Sequence, residues 1–151
     1  MVDSLIILFD QNEQAFTSNG LGALPDAASC VVTEERNGEY EVEMEYPLTG
    51  RHFHDIQKRR ILYAKPNPYD DPQPFRIYSI TKPINGVVTV HAAHLSYDTS
   101  GSIVKLFPAD AGSASAAMSY LKNFSVPSTP FTFFTNVGKT GTMSVPKPSS
   151  I

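Results

Sequence analysis

The sequence lacks tryptophan and has a single cysteine, Cys30, so no disulfide bond can form within the chain. This excludes a small secreted framework held together by several disulfides. Cys30 lies in the mostly apolar stretch 27–32. We therefore expect it to pack as a small buried hydrophobic side chain.

Long hydrophobic runs are also absent, and none approaches the length of a membrane-spanning helix. The apolar run near the start, Leu5–Phe9, is five residues long, follows no positive charge and precedes no prompt small-residue cleavage site. A signal peptide is therefore not expected. These features predict a protein that is made in a cytoplasm, stays soluble and does not insert into a membrane.

Basic residues are few, and the formal net charge is −3 with an isoelectric point near 5.7. The one basic cluster is the triplet Lys58, Arg59 and Arg60. Because nucleic-acid-binding domains need an extended basic patch, we expect no specific binding to DNA or RNA.

The clearest structural signal is the alternation that follows Asn37-Gly38. Glutamates at 39, 41, 43 and 45 alternate with Tyr40, Val42, Met44 and Tyr46. A period of two after an Asn-Gly pair predicts a β-hairpin with the β-rich run 28–36. The glutamate side must meet water or a basic partner, because four like charges along one strand face cannot be buried unpaired.

Further strands are predicted at 5–9, 60–64, 75–80 and 87–93, and Asn85-Gly86 marks a second hairpin. The proline-rich segment 66–74 predicts a stiff loop. Ala and Ser dominate 110–124, where the apolar spacing predicts one helix capped by Ser113. Phe131–Phe134 reads as a short aromatic strand, and the residues after Thr135 as a linker.

The predicted fold class is therefore mainly β (α+β): a small β-barrel or sandwich built from hairpins, with one short helix. We place a β-rich domain at residues 1–108. Residues 109–151 would contain the helix, the short strand and the linker.

No catalytic, cofactor-binding or metal-binding residue is predicted. The pairs His52/His54 and His91/His94 have no metal-site spacing, and a strand through the second pair would turn its members to opposite faces. Gly138-Lys139-Thr140 lacks the glycine-rich run of a phosphate-binding loop. Ser119–Lys122 matches S-x-x-K and Lys139–Gly141 matches K-T-G, but they lie too close together for a β-lactamase-type site.

Two functions other than a purely structural role stay open at this point. Peptidoglycan or peptide hydrolysis would need a metal, or a nucleophile and a base in one cleft. A host-surface binding module would need a concave site with exposed aromatic side chains, for which Tyr63, Tyr69 and Phe75 are candidates. Core packing is the preferred reading of those aromatics.

Several segments, in this order, resemble the N-terminal baseplate-hub region of phage minor structural proteins, the tail-associated, endopeptidase-type tail family of phages and prophages of Gram-positive bacteria. They are 24–27, 31–47, 59–61, 64–68, 73–78, 84–86 and 91–98. The resemblance spans residues 5–135, and its specificity comes from the ordered series of segments.

The resemblance implies a virion structural protein of the tail tip. Three copies would form a ring that closes the tail tube and contacts the distal tail protein and the tape measure protein. Residues 1–108 would then be a hub domain, and 109–151 the start of an incomplete second hub subdomain. Lytic activity belongs to C-terminal domains of longer family members, so no enzyme activity is expected. On this reading, the glutamate face would line a channel or repel DNA.

Overall fold

A computed structural model describes residues 5–106, 112–141 and 145–150. The chain divides into two compact units, Met1–Leu95 and Ser96–Ile151. The predicted domain boundary after residue 108 lies outside the described residues. The fold is mainly β, as the sequence predicts.

The described part of the first unit, residues 5–95, contains seven strands in one antiparallel sheet. They are β1 (Ile7–Phe9), β2 (Gly22–Ala23), β3 (Ser29–Glu34), β4 (Tyr40–Pro47), β5 (Ile61–Ala64), β6 (Gln73–Ile80) and β7 (Val87–His94). Their order across the sheet is β2-β1-β5-β6-β7-β4-β3. The sheet is curled, and β2 and β3 form its two edges.

Both predicted hairpins are confirmed. β3 and β4 pair from Ser29↔Glu45 to Glu34↔Tyr40, and the strands are joined across Arg36, Asn37 and Gly38. β6 and β7 pair on either side of the tight turn at Asn85 and Gly86, which have φ of 52° and 78°. Pairing between β4 and β7 joins the two hairpins at the centre of the sheet.

The inner face of the curled sheet holds one hydrophobic core. Alternate residues of β4 and β7 point into it, including Val42, Met44, Tyr46, Val88 and Val90. Phe75 and Ile77 of β6 and Leu62 of β5 complete its centre. Burying side chains of this kind stabilises the fold by about 1.5–3 kcal/mol each. The curl is what allows a single sheet to enclose its own core.

A smaller aromatic cluster covers the outer face at β1 and β5. Phe9 is fully buried there between Phe16 and Tyr63, with ring centroids 5.3 and 5.8 Å away. Phe16 and Tyr63 stack on each other at 5.4 Å. Arg76 fixes the adjoining loop by donating to the backbone oxygen of Gln11 at 3.0 Å. Phe9 is therefore shielded from solvent on this half of the outer face by partly exposed neighbours.

The second unit contains the predicted helix, α1 (Ala114–Asn123), and a three-stranded sheet. Its strands are β8 (Ile103–Val104), β9 (Ser125–Val126) and β10 (Ser149–Ser150), in the order β10-β8-β9. Ser113 caps the helix as predicted, because its hydroxyl oxygen accepts a hydrogen bond from the Ala116 amide at 3.2 Å.

Two predictions for this region are wrong. Phe131–Phe134 forms no strand, and Phe134 is 88% exposed. The segment follows Pro127 and Pro130, which remove backbone donors, and it has no ladder partner among the described residues. In the expected linker, Ser149–Ser150 pair instead with β8.

Two 3-10 helices complete the described structure. One covers Phe53–Asp55 before β5, and the other covers Leu95–Gly101 after β7. Among the described residues, no helix has the length and apolar character needed to span a membrane.

Candidate functional site

The outer face of β4, β7 and β6 carries the most distinctive group of side chains. Glu41, Glu43 and Glu45 all point to this side, because Val42, Met44 and Tyr46 between them are buried. Tyr78 and His91 join the glutamates from the neighbouring strands β6 and β7. We call Glu39, Glu41, Glu43, Glu45, Tyr78 and His91 together the acidic face.

A β-bulge positions Tyr78 on this face. Ile77 pairs with Ala92 and Ser79 pairs with His91, so β6 has one extra residue at this point. The bulge lets Phe75, Ile77 and Ile80 all contact the core although their spacing changes from two to three residues. Tyr78 is thereby directed outwards, with 50% of its surface exposed.

Three contacts tie the acidic face together. The Tyr78 hydroxyl donates to Glu41 Oε2 at 2.7 Å. The Tyr78 and His91 rings lie parallel to within 30°, with centroids 6.2 Å apart. His91 Nδ1 lies 3.6 Å from Glu43 Oε2, an ion pair when the imidazole is protonated. The first contact reaches from β6 across β7 to β4, whereas the other two join neighbouring strands.

The electrostatics of the face act on Tyr78. Its hydrogen bond to Glu41, together with partial burial and the charges of Glu41, Glu39 and Glu43, raises the pKa of Tyr78 to about 12. Ionising the phenol would place another negative charge beside carboxylates, which is the physical reason for the shift. The face therefore presents negative charge and one neutral aromatic donor.

The strand beside this face, β3, is an edge strand. It pairs with β4 alone among the described residues. Val31 points outwards and is 59% exposed, whereas Cys30 and Val32 pack against the core. Partial burial raises the pKa of the Cys30 thiol to about 11, and this cysteine packs against the core as a half-buried side chain rather than the buried one that the sequence predicts.

The four histidines do not come together. β7 runs through His91 and His94 and turns them to opposite faces, as predicted. His94 stacks on Tyr40 at 4.4 Å and meets the edge of Phe75, and burial lowers the pKa of its imidazole. The described residues contain no group of three or more His, Cys, Asp or Glu side chains suited to holding a metal ion.

His52 and His54 lie at the first 3-10 helix rather than on a strand. His52 Nδ1 lies 3.1 Å from Asp55 Oδ2, and Arg60 Nη1 lies 3.2 Å from the other oxygen of that carboxylate. The hydrogen bond with His52, followed by that with Arg60, lowers the pKa of Asp55. The His52 ring occupies the space that a Cβ at Gly22 would need. The His52 side chain, held by Asp55, therefore packs directly against β2.

The aromatic residues considered for a binding module are dispersed. Phe75 is fully buried in the inner core, and Tyr63 belongs to the aromatic cluster on the outer face. Tyr69 is 96% exposed in the proline-rich loop. These three side chains line no common surface.

Comparisons with protein-family models, curated proteins and solved structures give no match. The acidic face and the adjoining β3 edge are therefore interpreted from their own chemistry. Sequence reasoning identified the glutamates but missed Tyr78 and His91 as their neighbours. The shift in apolar spacing between Ile77 and Ile80 was the signal for the bulge that brings Tyr78 there.

Proposed function

We propose that this chain is a structural component of a phage or prophage tail tip, where it closes the tail tube and connects it to distal tail proteins. The observation that carries the proposal is the ordered series of segments resembling the baseplate-hub region across residues 5–135. A role in assembly, rather than catalysis, is the function that this resemblance implies.

The structure supports the proposal through the position of these segments. The 31–47 segment forms the β3–β4 hairpin, and the 73–78 and 91–98 segments contribute to β6 and β7. The resemblance is thus concentrated in one sheet, including its core, its turns and its acidic face.

In the proposed tail tip, three copies surround the tube axis. The distal tail protein and the tape measure protein are the neighbours. The acidic face would repel the phosphate backbone of DNA and keep a passage free of bound nucleic acid, because like charges facing each other in a confined space disfavour contact. The proposed location is the virion, after synthesis in the bacterial host cytoplasm.

Deletion of the coding region from the phage or prophage that encodes it tests this role. We expect DNA-filled heads to accumulate without complete tails, and expression of the chain's gene in trans to restore tailed particles. Complete, infectious particles without the gene product would contradict the proposal. Electron microscopy of purified particles provides the readout.

A charge-reversal variant tests the acidic face separately. Glu41→Lys combined with Glu43→Lys should alter assembly or DNA passage, because both positions lie on the outward side of β4. Asp70→Lys combined with Asp71→Lys gives the same change in net charge in the loop between β5 and β6, and serves as the matched control. If the Glu41→Lys, Glu43→Lys variant assembles and infects as well as the parent, the proposed role of the acidic face is contradicted.

A further inference from the structure

The open edge of β3 is the second notable surface of the first unit. In an antiparallel ladder, the backbone groups of successive residues point alternately towards and away from the partner strand. The Glu35 amide donates to the Glu39 oxygen at 2.8 Å, which fixes this alternation for the β3–β4 pair. The N–H and C=O groups of Cys30, Val32 and Glu34 are therefore directed away from β4.

These outward groups form a template for another strand. Exposed edges of this kind bind extended segments by main-chain hydrogen bonds, and side chains then select the sequence. Natural edge strands are commonly protected by proline, by a bulge or by lysine. β3 has none of these, since its sequence is Ser-Cys-Val-Val-Thr-Glu and its pairing with β4 is regular.

The charge of the β3–β4 hairpin indicates which kind of strand can pair with the β3 edge. Residues 29–46 contain six glutamates and one arginine, so six negative charges and one positive charge leave a formal net charge of −5. A second copy pairing through β3 would place two such hairpins side by side. Because like charges on adjoining strands are destabilising, this arrangement is disfavoured.

We infer that the β3 edge binds an extended strand of a partner protein that carries lysine or arginine on its outward face. Adjacent strands lie about 4.8 Å apart, so the outward side chains of the added strand stand about 10 Å from the glutamates of β4. Lysine and arginine side chains can extend over Ser29 and Val31 to approach Glu45 and Glu43, which lie opposite those two residues on β4. The apolar inward side chains of the partner would continue the row of Cys30 and Val32.

This inference deepens the proposed function, because it rests on the chain having assembly partners and states the chemistry by which one of them is recognised. Its test uses peptides and the purified chain alone. The deletion experiment and the peptide experiment can therefore fail independently.

The probe is an eight-residue peptide of alternating lysine and valine, added to the isotope-labelled chain. We expect chemical-shift changes along β3 and slowed hydrogen exchange at the amides of Cys30, Val32 and Glu34. Two matched peptides separate the contributions. One replaces lysine with glutamate, and the other is N-methylated along the edge that would pair with β3. Each should bind at least about tenfold more weakly, since the glutamate peptide carries charge of the same sign as β4 and the N-methylated peptide lacks the ladder donors.

Two variants of the chain complete the experiment. Glu34→Pro removes an amide that faces the open edge without removing a donor to β4, so it should weaken peptide binding while the other amide signals stay in place. Glu43→Lys combined with Glu45→Lys should reverse the preference in favour of the glutamate–valine peptide. Equal binding of the N-methylated peptide would mean that the glutamates attract cations without strand addition, and would overturn the inference.

Two other outcomes would also overturn it. Absence of binding by the lysine–valine peptide would exclude a basic strand as the occupant. Concentration-dependent dimerisation that protects the β3 amides without peptide would assign the edge to a second copy.

Discussion

The Tyr78 hydroxyl is bound by a carboxylate, and this contact should be visible in a titration. Glu41→Gln removes the charge that accepts the hydrogen bond, so the pKa of Tyr78 should fall from about 12 towards the ordinary tyrosine value of about 10. The phenol is followed by ultraviolet absorbance, with the curve of a Tyr78→Phe variant subtracted to isolate it. Glu45→Gln is the control, because Glu45 is not among the charges acting on Tyr78. An unchanged pKa in Glu41→Gln would show that the contact is absent in solution.

His94 should make folding sensitive to mild acid. Burial lowers the pKa of its imidazole, so the unfolded chain binds a proton more readily than the folded chain. The stability linked to His94 is therefore fully present above the unfolded histidine pKa of about 6.5 and is lost as the pH falls through the folded value. His94→Phe retains an aromatic ring beside Tyr40 but cannot titrate.

We expect His94→Phe to reduce the loss of stability of the first unit between pH 7.5 and pH 5. Urea denaturation midpoints at a series of pH values measure this dependence. His54→Gln, at an exposed position, should leave the dependence as it is in the parent. A pH dependence that is the same in His94→Phe and the parent would assign the acid sensitivity to other groups.

Residue roles could be predicted where the pattern was local. The opposite orientations of His91 and His94 follow from their spacing on one strand, and the packing of the half-buried Cys30 against the core follows from its apolar neighbours. The contact between Tyr78 and Glu41 could not be predicted, because it joins residues 37 positions apart through the β6–β7–β4 order. Such contacts depend on which strands become neighbours.

Among the structural elements, the turn between β6 and β7 offers a direct test. Gly86 has a φ of 78°, a left-handed conformation that glycine adopts without steric cost. No atom lies within 4 Å of a Cβ built there, so Gly86→Ala introduces backbone strain without a clash. It should destabilise the first unit by about 1 kcal/mol. Lys82→Ala in the same connection should change the free energy of unfolding by less than about 0.5 kcal/mol. Equal changes in the free energy of unfolding for the two variants would contradict the left-handed conformation of Gly86.

The hairpins were the most predictable elements because Asn-Gly pairs and alternating side chains determine them within a short stretch of chain. The strand predicted at Phe131–Phe134 failed for the complementary reason. Its aromatic residues favour a strand, but Pro127 and Pro130 precede it and no described strand offers a ladder. Strand propensity without a partner does not produce a sheet.

For the molecule as a whole, the mainly β class followed from composition and turn signals, whereas the strand order did not. The central β4–β7 pair joins the two hairpins although β4 ends at Pro47 and β7 begins only at Val87, and no local pattern specifies that pairing. The same limit applies to the acidic face, which is assembled from three strands.

The measurement that tests the proposed tail-tip role most directly is the location of the protein in phage particles. Antibodies raised against the purified chain would be bound to particles of the phage or induced prophage that encodes it, and visualised with gold labels by electron microscopy. We predict labels at the tail tip, distal to the tube, and none at the head. Particles with intact tails that contain none of this protein would contradict the account.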